Sequence, residues 1–338
     1  MSVEWLTAAL NQAGYPGAVE SFTAESIGTG QVGENVRFSL SGKEIPASVV
    51  GKFPSADPVS RQTGIDQQNY LREVYFYQHI RSTVDVQTPR VLFTNVDPRS
   101  HDFILLMEDL APGLQGDQLA GCTVDQAALA LEQLARLQGP RWGDTSLASH
   151  PLFNGGYSKE TAALVQGLYR MLEPGFLERY KNRLASSDQE VVKRVGERLA
   201  EYHDAWDGAA AFVHIDFRLD NMMFGGPYPL AIVDWQSISI GCPLMDASYF
   251  MGTSLDPERR AAEESRLLRH YLDVLASYGI EPGFDSCFHA YRNYAPAGLI
   301  MAVIASMIVG ETERGNDMFM AMAQRSIRMC EDLDALSI

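Results

Sequence analysis

Residues 212–246 read FVHIDFRLDNMMFGGPYPLAIVDWQSISIGCPLMD, and this stretch decides the fold. A β-branched and aromatic run ends at His214, and a tight polar loop then sets Asp216 and Asn221 in the pattern H-x-D-x-x-x-x-N. Gly225 and Gly226 turn the chain, and a second apolar run, 230–233, ends abruptly on Asp234. Apolar strands that deliver acids at their ends bring carboxylates to one point. Hard oxygen ligands set in this way suit Mg²⁺ bridging nucleotide phosphates. Asp216 is then the candidate to receive a substrate hydroxyl proton, and Asn221 and Asp234 are the candidates to hold the metal. The plainer alternative is two surface hairpins with ordinary turn acids.

The second strand, Asp234-Trp235 and a G-x-P-x-x-D ending on Asp246 weigh against that alternative. Together with H-x-D-x-x-x-x-N they resemble the aminoglycoside phosphotransferase and choline kinase-like superfamily (ecdysteroid kinase-like enzymes included), relatives of the protein kinases. The resemblance implies a bilobal α/β (α+β) protein-kinase-like fold, with an antiparallel-sheet N-lobe over 1–110 and a mostly helical C-lobe over 111–338. It also implies transfer of the ATP γ-phosphoryl group, assisted by Mg²⁺, to a hydroxyl of a small-molecule alcohol, with the nucleotide between the lobes. By the same resemblance His214 packs beneath the loop, and Asp246 accepts backbone N–H bonds that fix it. Many relatives carry Gly where this chain has Ile215, a position without a reacting group, so a packing difference is expected rather than lost chemistry. Arg218 and Asp220 lie inside the loop. Arg218 either faces the acceptor or pairs with Asp220 or another acid.

Working outward toward the N-terminus, helical spacing over 3–13 is followed by a strand at 21–27, the loop Gly28-Thr29-Gly30-Gln31-Val32-Gly33, and a strand at 35–40. G-x-G-x-x-G needs a helix directly after it to read as a dinucleotide site. Here the next segment alternates like a strand. Strand, glycine loop, strand is the nucleotide-covering hairpin of the kinase-like fold, in which Gly28, Gly30 and Gly33 let backbone N–H groups approach phosphates. The next strand, 47–53, carries Lys52 near its end. Such a lysine ordinarily snorkels to the surface, but in this order of elements it reads as the lysine that grips phosphates. A polar turn region is expected over 55–64 and one helix over 65–80. Glu73 lies within that helix, where relatives place the glutamate that pairs with the strand lysine. Strands at 90–95 and 102–107 lead into FILLMEDLAPG, which resembles the connector between lobes. Backbone groups from Glu108 to Leu110 would there hydrogen-bond adenine.

Beyond the boundary marked by Pro112 and Gly113, the pattern turns helical. Helices are expected over 124–138, 159–171, 175–184, 189–207, 258–278, 286–311 and 318–336, with another starting at 247–252. Relatives commonly have a histidine near the Gln138 position, a mismatch outside the chemistry. The helical insertion before the catalytic strand is an expected wall of the acceptor pocket.

The totals bound the function. The 338-residue chain is long enough for two lobes with real cores, and its 46% hydrophobic content is that of a soluble globular protein. A net charge of −16 and a pI near 4.8 argue against nucleic acid or an anionic membrane as partner and favour a neutral or cationic acceptor. The four scattered cysteines form no C-x-x-C pair, so reduced thiols and a cytoplasmic enzyme are expected. The N-terminus lacks a signal-peptide pattern. The stretch 294–310 contains Pro296 and is too short to span a bilayer, so it reads as a buried helix. Seven histidines without H-x-x-x-H spacing make a zinc site an unsupported reading.

Two rivals remain. A catalytically inactive nucleotide-binding regulatory protein of the same fold would ordinarily lack the base, a metal ligand or the lysine, and all are present. A Rossmann-type oxidoreductase rests on the glycine loop alone. A protein kinase needs a peptide-docking segment between the metal-binding acid and its C-lobe anchor. Asp246 is only the twelfth residue after Asp234, which leaves no room for one.

Overall fold

The computed structural model describes residues 1–28, 32–153, 159–201 and 206–337. The chain divides into two units. The first comprises Met1–Thr83, Gln87–Leu114 and Gly225–Ile238, and the second comprises Val84–Val86, Gln115–Phe224 and Ser239–Ile338.

In the first unit, α1 (Val3–Gln12) starts at Ser2, whose hydroxyl accepts the Trp5 N–H. Then follow β1 (Ala18–Ile27), β2 (Gly33–Lys43), β3 (Ser48–Pro54), α2 (Pro58–Asp66), α3 (Asn69–Tyr75), β4 (Val91–Val96) and β5 (Phe103–Glu108). The strands form one antiparallel sheet in the order β1-β2-β3-β5-β4. Side-chain alternation along β5 explains why both faces are covered. Leu106 joins Phe38, Val49 and Leu92 against Leu6, Ala9 and Leu10 of α1, whereas Phe103, Leu105 and Met107 meet Tyr70 and Val74 of α3. Each such side chain, fully buried, contributes about 1.5–3 kcal/mol. The same period of two puts Val49 of β3 on the α1 face and Val50 on the α3 face. Lys52, two residues after Val50, therefore points toward α3.

The segment before α3 differs from the sequence expectation. Residues 55–64 are not a polar turn: Asp57 caps a helix, accepting the Ser60 N–H at 2.8 Å, and Pro58 opens it. The single helix expected over 65–80 is interrupted at Gln68, whose φ of 56° is left-handed. It resumes as α3 and ends in a π-helical turn, Phe76–Ile80.

The second unit begins around the short β6 (Leu114–Gln115) and is mainly helical. The boundaries of α4 (Val124–Gln138) are those read from sequence, because Thr123 and Gln126 form a reciprocal capping box. Two expected helices are one, α5 (Lys159–Tyr180), with Pro174 inside it. Then come α6 (Ser186–Arg198), β7 (Ala211–Val213), β8 (Met222–Phe224), β9 (Leu230–Ile232, part of the first unit) and β10 (Ser239–Gly241). They are followed by α7 (Leu244–Ser254), α8 (Pro257–Ala276), α9 (Phe284–Asn293), α10 (Ala297–Ile308) and α11 (Glu313–Asp332). The one long helix expected over 286–311 is thus two, divided just before Pro296 acts as the α10 cap. Among the described residues no helix is long and apolar enough to cross a membrane.

Within this unit β7 pairs antiparallel with β10, Phe212 opposite Ile240. Helix α4 packs on α8, each presenting a buried apolar stripe that includes Leu131, Leu134, Leu268 and Tyr271. Gln138, wholly buried at the end of α4, donates to the Pro243 carbonyl at 3.0 Å and accepts the Tyr271 hydroxyl. It thereby pins the turn that leads into α7 and Asp246.

Candidate functional site

Three charged side chains that lie far apart in sequence meet in the first unit. Lys52 Nζ is 2.6 Å from Glu73 Oε2 and 2.7 Å from Asp234 Oδ1. The lysine is 7% exposed and Glu73 2%, so neither charge has water to fall back on. Burial opposes the ammonium, but the Asp234 and Glu73 carboxylates outweigh it and hold the Lys52 pKa above its ordinary value. Burial dominates at Glu73 and raises its pKa, although the Lys52 charge opposes the shift.

Asp234 is placed by its flanks. The buried strand β9 delivers it, and Trp235, fully buried, stacks on Phe76 at 3.9 Å between ring centroids. Asp234 adopts a left-handed φ of 68°, which a short polar side chain tolerates better than most. Its Oδ2 accepts from Gln236 Nε2 at 3.2 Å, and the Gln236 carbonyl in turn accepts from Asn69 Nδ2 at 3.1 Å. Gln236 and Asn69 carried no signal in sequence, since a backbone carbonyl is their meeting point.

The glycine loop is described at two of its three positions. Gly28 has φ +73°, open to glycine without penalty, and Gly33 lies so close to the lysine that an added Cβ would sit 3.2 Å from Lys52 Cε. Gly30 lies outside the described residues.

At the connector, the Glu108 carboxylate accepts the Arg90 N–H and the Tyr228 hydroxyl, both at 2.7 Å, and the Glu108 N–H donates to the Arg90 carbonyl at 2.9 Å. The Leu110 carbonyl accepts the Gly113 N–H at 2.8 Å. Between them Asp109 is clamped by Arg37, whose Nε and Nη2 lie 2.7 and 3.1 Å from its two oxygens, and by Ser48 Oγ at 2.7 Å. Burial opposes the Asp109 charge, but these donors overcome it and depress its pKa. Sequence reasoning misses Asp109, because the contacts expected of the connector are made by its backbone.

In the second unit β7 leads into the loop that carries Asp216. His214 is fully buried against Phe217. The Asp246 carboxylate accepts the backbone N–H groups of His214 and Ile215, the latter at 3.0 Å. Burial pushes the Asp246 pKa up to about 7 despite these two donors. Ile215 has φ +71°, a left-handed conformation that glycine would adopt without penalty. Besides any difference in packing, the β-branched Ile215 is held in a strained backbone conformation.

Asp216 is oriented through both oxygens. Oδ1 accepts from Arg218 Nε at 2.9 Å and from the Tyr249 hydroxyl at 3.1 Å, and Oδ2 accepts from Asn221 Nδ2 at 2.8 Å. Burial opposes its ionisation, but Arg218, His214 and Asn221 together hold its pKa below the usual carboxylate range. Tyr249, 3% exposed and on α7, was missed by sequence reasoning. Arg218 also pairs with Asp220 Oδ2 at 2.5 Å. Of the two options left open for Arg218, the structure takes the pairing one.

Asn221 spends its amide N–H groups on the Asp216 carbonyl and carboxylate. Its own carbonyl oxygen is the atom suited to a hard cation. Among the described residues no group of three or more His, Cys, Asp or Glu side chains forms a metal cage. An all-protein cage is not what Mg²⁺ requires, because it keeps waters and uses one or two protein oxygens beside phosphates. Asn221 in the second unit and Asp234 in the first each carry a hard oxygen of the type such a donor set uses.

The model of the phosphotransferase enzyme family, APH, matches residues 55–281. No protein with a curated description matches the sequence. Solved structures match over almost the whole chain at low identity. An aminoglycoside phosphotransferase from Alicyclobacillus acidocaldarius superposes with a TM-score of 0.54 at 12% identity, covering 94% of this chain and 92% of that one. The gentamicin complex of APH(2″)-IIa gives 0.54 at 15%, covering 97% and 96%. The macrolide 2′-phosphotransferase MphH from Brachybacterium faecium gives 0.50 at 15%, covering 95% and 97%. At these identities the likeness establishes the fold, a kinase-like one with an antiparallel sheet followed by helices.

Proposed function

Because the chain belongs to the phosphotransferase enzyme family, we propose that it moves the γ-phosphoryl group of ATP to a hydroxyl of a small-molecule alcohol. The observation that carries this reading is the meeting of Glu73 and Asp234 on the buried Lys52 ammonium. Such a lysine, held charged and pointed by two acids, suits the α and β phosphates of a nucleotide. Gly28, Gly30 and Gly33 belong to the hairpin that would cover those phosphates, and the backbone from Glu108 to Leu110 would meet the adenine. Asn221 and Asp234 would hold Mg²⁺, which supplies charge neutralisation to the phosphates.

Asp216 is the base in this reading. The acceptor oxygen forms a bond to Pγ, the bond from Pγ to the β–γ bridging oxygen breaks, and ADP leaves. The hydroxyl proton passes to the Asp216 carboxylate. Oδ1 already takes two donors and Oδ2 takes one, so Oδ2 is the oxygen with a lone pair for that proton.

The acceptor is a neutral or cationic alcohol. Arg218 spends its charge on Asp216 and Asp220, which removes the reason to expect an anionic substrate, and the chain carries a net charge of −16. Gentamicin, bound in one of the similar structures, is one acceptor to include in a panel. Nucleic acid and membrane are not partners in this reading, and the four free cysteines suit the cytoplasm. ATP consumption measured against small alcohols, generic protein substrates and oligonucleotides tests the proposal. Transfer to an alcohol is expected. Transfer to a protein serine, with none to any alcohol, would overturn it.

A further inference from the structure

The loop that carries Asp216 and Asn221 is gripped by a segment outside its own motif. Residues 115–118 lie against it. Gly116 N–H donates to the Met222 carbonyl at 2.9 Å, and Gln115 Nε2 donates to the Asp220 carbonyl at 2.6 Å. The approach is so close that a Cβ on Gly116 would sit 2.5 Å from the Leu219 carbonyl oxygen. Gln118 is the centre of this clasp and is fully buried. Its Oε1 accepts the Leu219 N–H at 2.9 Å, its backbone N–H donates to Asp220 Oδ1 at 3.1 Å, and its Nε2 donates to the Thr253 carbonyl at 2.9 Å.

Arg325, from α11, closes the clasp from behind. Its Nη1 donates to the carbonyls of Gln118 and Thr253 and its Nη2 to that of Leu119, each at 2.8 Å. A continuous line of hydrogen bonds therefore runs from Arg325 through Gln118 to Asp220, from Asp220 to Arg218, and from Arg218 to Asp216 Oδ1. Both oxygens of Asp220 are committed along this line, one to Gln118 and one to Arg218. That fixes which face of the Arg218 guanidinium reaches Asp216.

We propose that Gln118 is a positioning residue for phosphoryl transfer: its side chain anchors the loop at the Leu219 N–H and, with Arg325 behind it, sets the backbone N–H that holds Asp220, which carries Arg218 to the Asp216 carboxylate. The inference rests on the function proposed above, since it takes Asp216 as the base. Asp220 and Arg218 then work together, carrying the clasp to the base rather than contacting the acceptor. A base displaced by about 1 Å loses on the order of 10²-fold in rate, so the clasp acts on turnover.

The test compares Gln118→Met, which keeps length and removes the side-chain bonds to the Leu219 N–H and the Thr253 carbonyl while leaving the backbone N–H that meets Asp220, with Arg325→Ala and Arg325→Lys. Hydrogen–deuterium exchange is followed in peptides covering 214–222 and, as a control, 69–80. Turnover with an accepted alcohol and the MgATP dissociation constant are measured alongside. We expect exchange in 214–222 to speed up at least tenfold in Gln118→Met and Arg325→Ala, with the control peptide unchanged. kcat should fall about 10–100-fold while the MgATP dissociation constant stays within twofold. Arg325→Lys should recover part of both effects, and the double variant should lose less than the product of the singles. Unchanged exchange in 214–222 would dispose of the clasp. Faster exchange with unchanged kcat would leave it a packing feature and overturn the positioning role. Should the wild type turn over no alcohol, the functional reading fails by itself, and unchanged or faster exchange still decides whether the clasp exists.

Discussion

Asp246 holds Ile215 in a backbone conformation that isoleucine ordinarily avoids: its Oδ1 accepts the Ile215 N–H at 3.0 Å while Ile215 keeps φ +71°. A left-handed residue with a Cβ costs about 1–2 kcal/mol. Here that cost is met one residue before Asp216, where the chain must turn to bring the carboxylate round.

Replacing Ile215 separates strain from packing. Ile215→Ala loses the side chain and keeps the strain, whereas Ile215→Gly loses both. Glycine is normally about 0.5–1 kcal/mol worse than alanine inside regular structure. At this position the order should invert, with the glycine variant more stable than the alanine variant by about 1 kcal/mol. Urea denaturation of the two variants checks it, and the usual order would show that Ile215 is unstrained.

Asp246 predicts a pH dependence of stability. Its folded pKa, about 7, lies above the ordinary value of 3.8. Between these values the folded protein holds a proton that the unfolded chain has released. The contribution of this group to stability is therefore present below about pH 4 and is lost as pH rises toward 7. The limiting slope is about 1.4 kcal/mol per pH unit. Asp246→Asn should flatten that part of the profile, while lowering stability overall by about 1–3 kcal/mol because one buried N–H loses its acceptor. Denaturation midpoints at pH 5 and pH 7.5, in wild type and variant, give the difference. An equal slope in both would assign the proton elsewhere.

Asp216→Asn should leave the fold and MgATP binding intact and lower turnover by about 10²–10⁴-fold, the range for a positioned general base. Turnover equal to wild type on an accepted alcohol would remove Asp216 from that role.

Asp234→Ala should act on the nucleotide instead. It removes an anionic oxygen from Lys52 and from the candidate Mg²⁺ site, so MgATP affinity should weaken and its dependence on Mg²⁺ concentration should flatten. Calorimetric titration at several Mg²⁺ concentrations measures both, and unchanged affinity with unchanged metal dependence excludes Asp234 as a ligand.

What could be read from sequence followed the physical range of each signal. The boundaries of α4 were legible because Thr123 and Gln126 cap it locally and Gly139-Pro140 follows it. The helix at Pro58–Asp66 was missed although Asp57-Pro58 is an N-terminal signal, because its polar composition, with Gly64 its sole buried residue, resembles a turn. Pro174 reads as a break inside what is one helix, since neighbouring packing overrides local propensity. Single strands and helices were legible from alternation and helical spacing, and their assembly into an antiparallel sheet followed by helices was implied by the family resemblance. In the candidate site, the pairing of Lys52 with Glu73 was implied by the family resemblance, whereas the approach of Asp234 to the same ammonium has no local signal. Tyr249, Gln118 and Arg325 were not legible either, because each works through contacts between residues distant in the chain. Two of them meet backbone carbonyls that any residue type presents.

The return of Gly225–Ile238 to the first unit has a consequence for biosynthesis. When the ribosome has completed Leu114, the sheet and α3 are made, but Asp234 is not, and Lys52 has Glu73 as its sole acidic partner of the pair. Roughly 120 further residues must be added, on the order of ten seconds at about 5–20 residues per second. During that interval Phe76 also lacks the Trp235 ring that covers it. The nascent first unit therefore waits, with an apolar surface open, for a late segment of the chain to finish its charge balance and its core.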